Sequence, residues 1–275
     1  MRWTILLILL TTFVFYGEKN KKPPLPSPEP VIVDNIPKTS FAFSPDGEKI
    51  AISYWKEGGV HIYVKTLNSG EMKKITNIQG DHPSWSPRGD RLVFNSFDPE
   101  TLSSKIFLVT AGGHGLKDTG REGESPVWSP LGNLIALTYQ HNIWTMNIDG
   151  SDFRFLTMEG FNVHPSWSPD GKKIVFSSDG SIAIVNVRTG KITEVLKEKA
   201  WAGYPVFSPS GDKIAFVSTR TGQYDIWIIN LSDRSLKQIT SDLYREFNLE
   251  WRPEGYIYYL REEEGVTNIW RVKVE

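Results

Sequence analysis

The stretch Pro165-Ser166-Trp167-Ser168-Pro169-Asp170-Gly171-Lys172-Lys173-Ile174-Val175-Phe176 decides the fold of this chain. An aromatic residue closes one extended run, Ser-Pro-Asp-Gly turns the chain, and an apolar run follows. Asp-Gly between apolar runs is a hairpin signal, because Gly tolerates positive φ and Asp caps local backbone donors. Working outward, Pro165 to Ser168 reads as a first strand and Lys173 to Ser178 (KIVFSS) as a second. Ile182 to Val187 (IAIVNV) reads as a third and, after Thr189-Gly190-Lys191, Ile192 to Leu196 (ITEVL) as a fourth. Such runs are too short for helices of ten residues or more.

The motif recurs. Its anchors are Phe43-Ser44-Pro45, Trp85-Ser86-Pro87, Trp128-Ser129-Pro130, Trp167-Ser168-Pro169, Phe207-Ser208-Pro209 and Trp251-Arg252-Pro253, with spacings of 42, 43, 39, 40 and 44 residues. A period near forty is the length of one four-stranded propeller blade. The third strands repeat as Ile62-Tyr63, Ile106-Phe107, Ile143-Trp144, Ile182-Ala183, Ile226-Trp227 and Ile269-Trp270, which implies a common packing slot for the aromatic position. Fourth strands end in Ile75-Thr76, Leu156-Thr157, Val195-Leu196 and Ile239-Thr240, while Gly115 to Gly120 (GLKDTG) reads as a weak fourth strand in the second copy. The sixth copy reaches only its third strand, Asn268 to Val274, whereas Val31 to Asn35 (VIVDN) precedes the first anchor with no partner. The expected fold is therefore all-β, a six-bladed β-propeller of four-stranded antiparallel blades over 31–275, its last blade closed by the strand at 31–35. Closure removes exposed sheet edges.

Composition agrees. The chain has 275 residues, ten Trp, ten Tyr and fourteen Phe, with 23 Gly and 17 Pro to punctuate short strands. Net charge is −1 from 31 basic and 32 acidic side chains, which argues against a nucleic-acid footprint. There is no cysteine, so disulfides, thiolate metal sites and a Cys nucleophile are excluded. Phosphate-binding Gly-rich loops and dinucleotide fingerprints are absent.

Residues 1–17 begin MRWTILLILLTTFVFY, one Arg before an apolar run over 3–16, and read as a signal peptide or, uncleaved, a membrane anchor. Residues 18–30, with five prolines between Pro23 and Pro30, read as a solvated linker. The folded part is expected outside the cytoplasmic membrane, periplasmic or extracellular.

The pattern P-x-W-S-P-D-G-K-x-I-x-F from Pro165 to Phe176 resembles the TolB-type, WD-like propeller repeat, and six copies make the resemblance specific over 31–275. Similar segments occur in propellers of prolyl-oligopeptidase-like enzymes. The resemblance implies a periplasmic propeller that binds protein partners in a cell-envelope complex. TolB proper also carries an α/β domain before its propeller, where this sequence has the apolar segment and the Pro-rich linker. The hydrolase domain of the peptidases, with its G-x-S-x-G elbow, has no counterpart here.

In a propeller the residues leading into each inner strand converge on one channel mouth. Three places before the anchors stand Ser40, His82, Ser125, His164, Tyr204 and Asn248; one place further back stand Thr39, Asp81, Glu124, Val163, Gly203 and Phe247, with Lys38 and Glu246 just beyond. This ring varies while the packing residues repeat. Asp81, His82, Glu124, His164, Tyr204, Glu246 and Asn248 are the candidate partner-binding residues. His82 and His164 with Asp81 and Glu124 could also be read as a metal site or as general acid and base of a hydrolase or lyase, and Trp55 and Trp201 as sugar-stacking residues. The preferred expectation is a non-catalytic, monomeric module for a protein or peptide partner, with no cofactor, no metal and no catalytic residue. Asp46 and Asp170 are assigned to turn chemistry.

Overall fold

The computed structural model describes residues 24–56 and 58–274. The segment read as a signal peptide or anchor, and the first part of the linker, lie outside the described residues. Among the described residues no helix is long and apolar enough to cross a membrane.

The strands form six four-stranded antiparallel sheets. Blade VI uses β1 (Glu29–Ile32), and blade I comprises β2 (Lys38–Phe43), β3 (Lys49–Lys56), β4 (Gly59–Thr66) and β5 (Met72–Lys74). Blade II comprises β6 (Asp81–Trp85), β7 (Arg91–Asp98), β8 (Ser103–Thr110) and β9 (Lys117–Glu122). Blade III follows as β10 (Glu124–Trp128), β11 (Leu134–Tyr139), β12 (Asn142–Asn147) and β13 (Arg154–Phe155). Blade IV is β14 (Asn162–Trp167), β15 (Lys173–Ser178), β16 (Ser181–Asn186) and β17 (Ile192–Leu196). Blade V is β18 (Ala202–Phe207), β19 (Lys213–Ser218), β20 (Asp225–Asn230) and β21 (Leu236–Gln238). Blade VI is completed by β22 (Arg245–Arg252), β23 (Tyr256–Glu263) and β24 (Val266–Lys273), in the order β1-β24-β23-β22.

The anchors explain the packing. All six are 6–9% exposed, and each belongs to a separate apolar cluster shared by two adjacent blades. Trp85 and Trp167 also donate their indole N–H to Ala42 O and Val127 O of the preceding blade, at 2.9 and 3.1 Å. A buried Trp removes roughly 150–250 Å² from water. At ~25 cal/mol per Å² this is ~4–6 kcal/mol gross, an upper bound because the unfolded chain is already partly collapsed.

The Ser after each aromatic holds the turn. In the first five copies its buried hydroxyl accepts the amide five residues on, as Lys173 N–H to Ser168 Oγ at 2.9 Å. It donates to Asp46, Asp90, Asn133, Asp170 or Asp212. The acceptor stands one place after Pro in two copies and three places after it in the other three. Aspartate is thus a turn residue reached from two sequence offsets. The Gly of the turn takes φ between 68° and 82° in all six copies, which only Gly adopts cheaply.

Two local expectations are corrected. The closing strand is Glu29–Ile32 rather than 31–35, so its first half comes from the segment read as linker. It pairs Glu29 with Arg271, Pro30 with Trp270 and Ile32 with Ile269, with a register break after Pro30. Pro, lacking an amide donor, is tolerated because β1 is an outer edge strand. Beyond Ile32, side chains replace the ladder: Asp34 N–H donates to Asn268 Oδ1 and Lys38 N–H to Thr267 Oγ1. Second, the outer strand of blade II is not weak. β9, at six residues, is longer than the other outer strands, because Gly120 at φ 71° absorbs a bulge between the Lys105 and Phe107 pairings. The aromatic position of the third strands is a common packing slot as expected, each residue there packing on one of the six clusters, but the slot is open to solvent on one side. Ile62, Ile106, Ile143, Ile182, Ile226 and Ile269 are 0% exposed, whereas Tyr63, Phe107, Trp144, Trp227 and Trp270 are half-buried. The repeated Ile fills the core, and the aromatics cover its outside; Arg220 and Arg261 lie 4.4 and 4.3 Å from the rings of Trp227 and Trp270.

Candidate functional site

The inner strands leave a cavity of about 650 Å³ along the axis, lined by all six blades. Three layers form its wall. At one mouth stand Ser40, His82, Ser125, His164, Tyr204 and Asn248, all of them lining residues. The middle layer, one place before each anchor, is Ala42, Ser84, Val127, Ser166, Val206 and Glu250. At the far end the prolines of the Ser-Pro turns converge, Pro45, Pro130, Pro169, Pro209 and Pro253.

A bulge aims the mouth residues inward. In five blades the register between the first two strands breaks across this residue, and in blade I it breaks just before Ser40. His82, Ser125, His164, Tyr204 and Asn248 take φ of 48–55°, the left-handed region costly for side chains with a Cβ. Blade I alone spares Ser40 this conformation. Bulges bend a strand and re-aim its side chains. Because five blades share the strain, it belongs to the architecture; what differs is the side chain that each blade presents.

Of the seven candidate residues, His82, His164, Tyr204 and Asn248 meet in the cavity. His164 stacks on Tyr204 at 4.1 Å and Tyr204 lies 6.1 Å from Phe247. Trp201 continues the group, 6.0 Å from Tyr204 and 5.7 Å from Tyr224, and Arg245 lies over Tyr224 and Phe247. An aromatic arc therefore occupies the side of blades IV–VI, opposite a small polar side of Ser40, His82 and Ser125. Burial, reinforced by the field of His82, pulls the His164 pKa down to about 4, so its ring is neutral at pH 7. Burial likewise raises the Tyr204 hydroxyl. The buried Nδ1 atoms of His82 and His164 have no hydrogen-bond partner.

The other three candidates are not part of the lining. Asp81 turns back to join blades I and II. Its Oδ1 accepts from Thr39 Oγ1 at 2.8 Å, Ser40 Oγ at 2.5 Å and His82 N–H at 2.8 Å. Burial pushes its pKa up, but the neighbouring His82 and these hydroxyls outweigh that and hold it low. Glu124 is exposed, outside the cavity. Glu246 is 1% exposed against blade V, accepting from Thr240 Oγ1 at 2.5 Å and paired across the ladder with Arg261. The bulge between Phe247 and Glu250 breaks the period-two alternation and turns Glu246 off the channel. Its pKa is pushed up to about 8, chiefly by burial and further by Asp242 and Asp225, against the Thr240 hydrogen bond and Arg261. Of the set considered for metal or acid–base chemistry, Asp81 Oδ2 stays 3.6 Å from His82 Nδ1, while Glu124 lies outside the cavity. Among the described residues no group of three or more His, Asp and Glu side chains is placed to hold a metal ion. Trp55 and Trp201 are 59% and 37% exposed.

Glu250 was missed by the reading of the mouth ring, although alignment on the anchors would have found it one place before Trp251. Its Oε2 accepts the Phe43 amide of blade I at 3.0 Å, as Ser84 Oγ accepts the Trp128 amide at 3.0 Å in the wall between blades II and III. Arg252 lies 3.4 Å from its Oε1. Burial pushes the Glu250 pKa up to about 7, against the pull of Arg252 and the Phe43 amide.

A family model described as the TolB beta propeller domain matches residues 31–181 and 178–275. The chain belongs to the TolB beta-propeller family. The Tol-Pal system protein TolB of Francisella tularensis subsp. mediasiatica is 34% identical over 116 residues, covering 40% of this chain and 27% of that protein. The chain thus spans about a quarter of the curated TolB proteins it matches. Among solved structures, a putative TolB from Agrobacterium tumefaciens superimposes with a TM-score of 0.65 at 24% identity, over 75% of this chain and 79% of that one. TolB from Acinetobacter baumannii gives 0.58 at 16% identity, over 87% and 63%. At these identities the structural likeness shows the fold.

Proposed function

We propose that this TolB-family propeller is a non-catalytic interaction module of the cell envelope that takes a segment of a protein partner into its channel mouth. The observation that carries this is the mouth itself. A repeated bulge presents one side chain per blade to a common cavity, and those side chains differ while the packing residues repeat. Aromatic residues with an adjacent Arg, beside a cavity, are the composition of interaction hot spots. The match to Tol-Pal system proteins supports a protein partner, and together with the apolar segment at 3–16 it supports a periplasmic or extracellular location. Replacing His82, His164 and Asn248 together by Ala tests the reading. Cross-linking in envelope extracts should yield a partner adduct with the wild-type propeller and at least about tenfold less with the triple variant. Equal capture by a folded triple variant moves the interface away from the mouth.

A further inference from the structure

The cavity wall is uniform in one respect: it is almost free of charge. Its lining is proline, aliphatic and aromatic side chains, hydroxyls, Asn248 and two histidines, and Glu250 is the one acidic side chain among them; no Lys or Arg lines it. In the middle layer the other five blades place Ala42, Ser84, Val127, Ser166 and Val206. Holding the Phe43 amide does not require a carboxylate, because Ser84 performs the equivalent task for Trp128 with a hydroxyl. The charge of Glu250 is also incompletely balanced. Arg252, 12% exposed, is shared between Glu250 at 3.4 Å and Glu254 at 3.7 Å, so two carboxylates face one guanidinium. The Glu250 side chain remains 26% exposed, toward the channel. A carboxylate in an apolar, enclosed setting interacts strongly with a cation that reaches it, and discriminates against neutral groups of the same size.

We infer that Glu250 is the floor of a cation subsite, which receives the ammonium or guanidinium group of a Lys or Arg side chain on the segment that enters the mouth. This rests on the channel-binding reading proposed above and names the chemistry that its guest must carry. The aromatic arc at the mouth contacts the guest's body, and the cationic tip reaches down to the middle layer, above the prolines of the far end.

Side-chain analogues test the subsite without knowledge of the partner. n-Butylammonium and n-butylguanidinium, with 1-butanol as the neutral analogue, are titrated into the propeller while the indole N–H resonances of Trp85, Trp167 and Trp251, which line the cavity, are followed by NMR. Wild-type protein should bind at least one of the two cations about tenfold more tightly than butanol, the scale of one charge-assisted contact. Glu250→Gln should lose that preference, with Glu250→Ser, copying the residue of blade II, as the second variant should Gln disturb the wall. No preference in the wild type, or a preference that survives in a folded variant, overturns the subsite. A folded Glu250→Gln that captures the partner as well as wild type likewise overturns the subsite while leaving the mouth reading intact. Capture by the His82/His164/Asn248 variant fails the mouth reading instead.

Discussion

Blades IV and VI are built from the same repeat and diverge in almost every non-core position. Blade IV is one continuous stretch with a Ser-Asp turn, and its buried position five places before the anchor is Asn162, bonded to Asn142 and Ser178. Blade VI is assembled from two distant stretches. It replaces the turn Ser by Arg252, buries Glu246 at the Asn162 position and puts Glu250 in the channel wall. At its junction with blade I, the equivalent position is Lys38, 1% exposed, whose ammonium donates to Asp34 Oδ1, Ile36 O and Asn268 Oδ1 at 2.7–2.9 Å. The core is indifferent to which blade it serves, but blade VI and its junction with blade I carry buried ionic groups where blade IV has Asn162. Apolar packing holds any two blades together, whereas a charged clasp fits only one partner, so ions at the junction specify which ends meet.

The largest effect should come from what the blades share. Trp167→Ala should lose ~3–5 kcal/mol in urea titration, and Trp251→Ala a similar amount, because both leave cavities in equivalent clusters. Unequal losses would mean that the closing blade is held by its ions instead. Next comes the clasp. Lys38→Ala takes the ammonium from Asp34 and strands the Ile36 carbonyl, and should lose ~2–4 kcal/mol, against ~1–2 kcal/mol for Asn162→Ala in blade IV. Comparable losses would remove the distinction between the junctions.

The pH dependence separates the two blades further. Glu246 has a folded pKa of about 8 against an ordinary 4.5, so the native state holds an extra proton between those values and stability falls as pH rises through them. His164, at about 4 against 6.5, does the reverse, and stability falls as pH drops from 6.5 towards 4. Each limb is at most ~1.4 kcal/mol per pH unit. In thermal melts from pH 4 to 9, Glu246→Gln should flatten the fall between pH 7 and 8, above the range where Glu250, raised to about 7, adds to it, and His164→Asn should steepen the net fall between pH 4.5 and 6.5 by removing the opposing slope; melts unchanged in shape would show that these groups titrate normally.

The repeat was legible because its signals are local. Trp167-Ser168-Pro169 followed by Asp170-Gly171 specifies a strand end and a turn whatever lies elsewhere, and the unpartnered VIVDN pointed to closure. What escaped depends on register. Glu246 and Glu124 were placed at the mouth by counting back from the anchor, and a bulge displaces every residue beyond it from that count. The closing strand was set two residues late because Pro30 reads as linker, although an edge strand accommodates it. Glu250 is the opposite case: it lies on the anchor side of the bulge, where counting holds, and its charge stands out only once the neutral wall around it is seen.

The direction of β1 has a consequence of its own. Glu29 pairs with Arg271 at the Ser-Pro face, and the chain then climbs to Lys38 beside Thr267 at the mouth face. β1 therefore enters its blade at the face away from the mouth. Its first residue is separated from the mouth by the length of an inner strand, roughly 25 Å for eight residues. Chain entry into the ring and the channel mouth thus lie on opposite faces, so neither crowds the other.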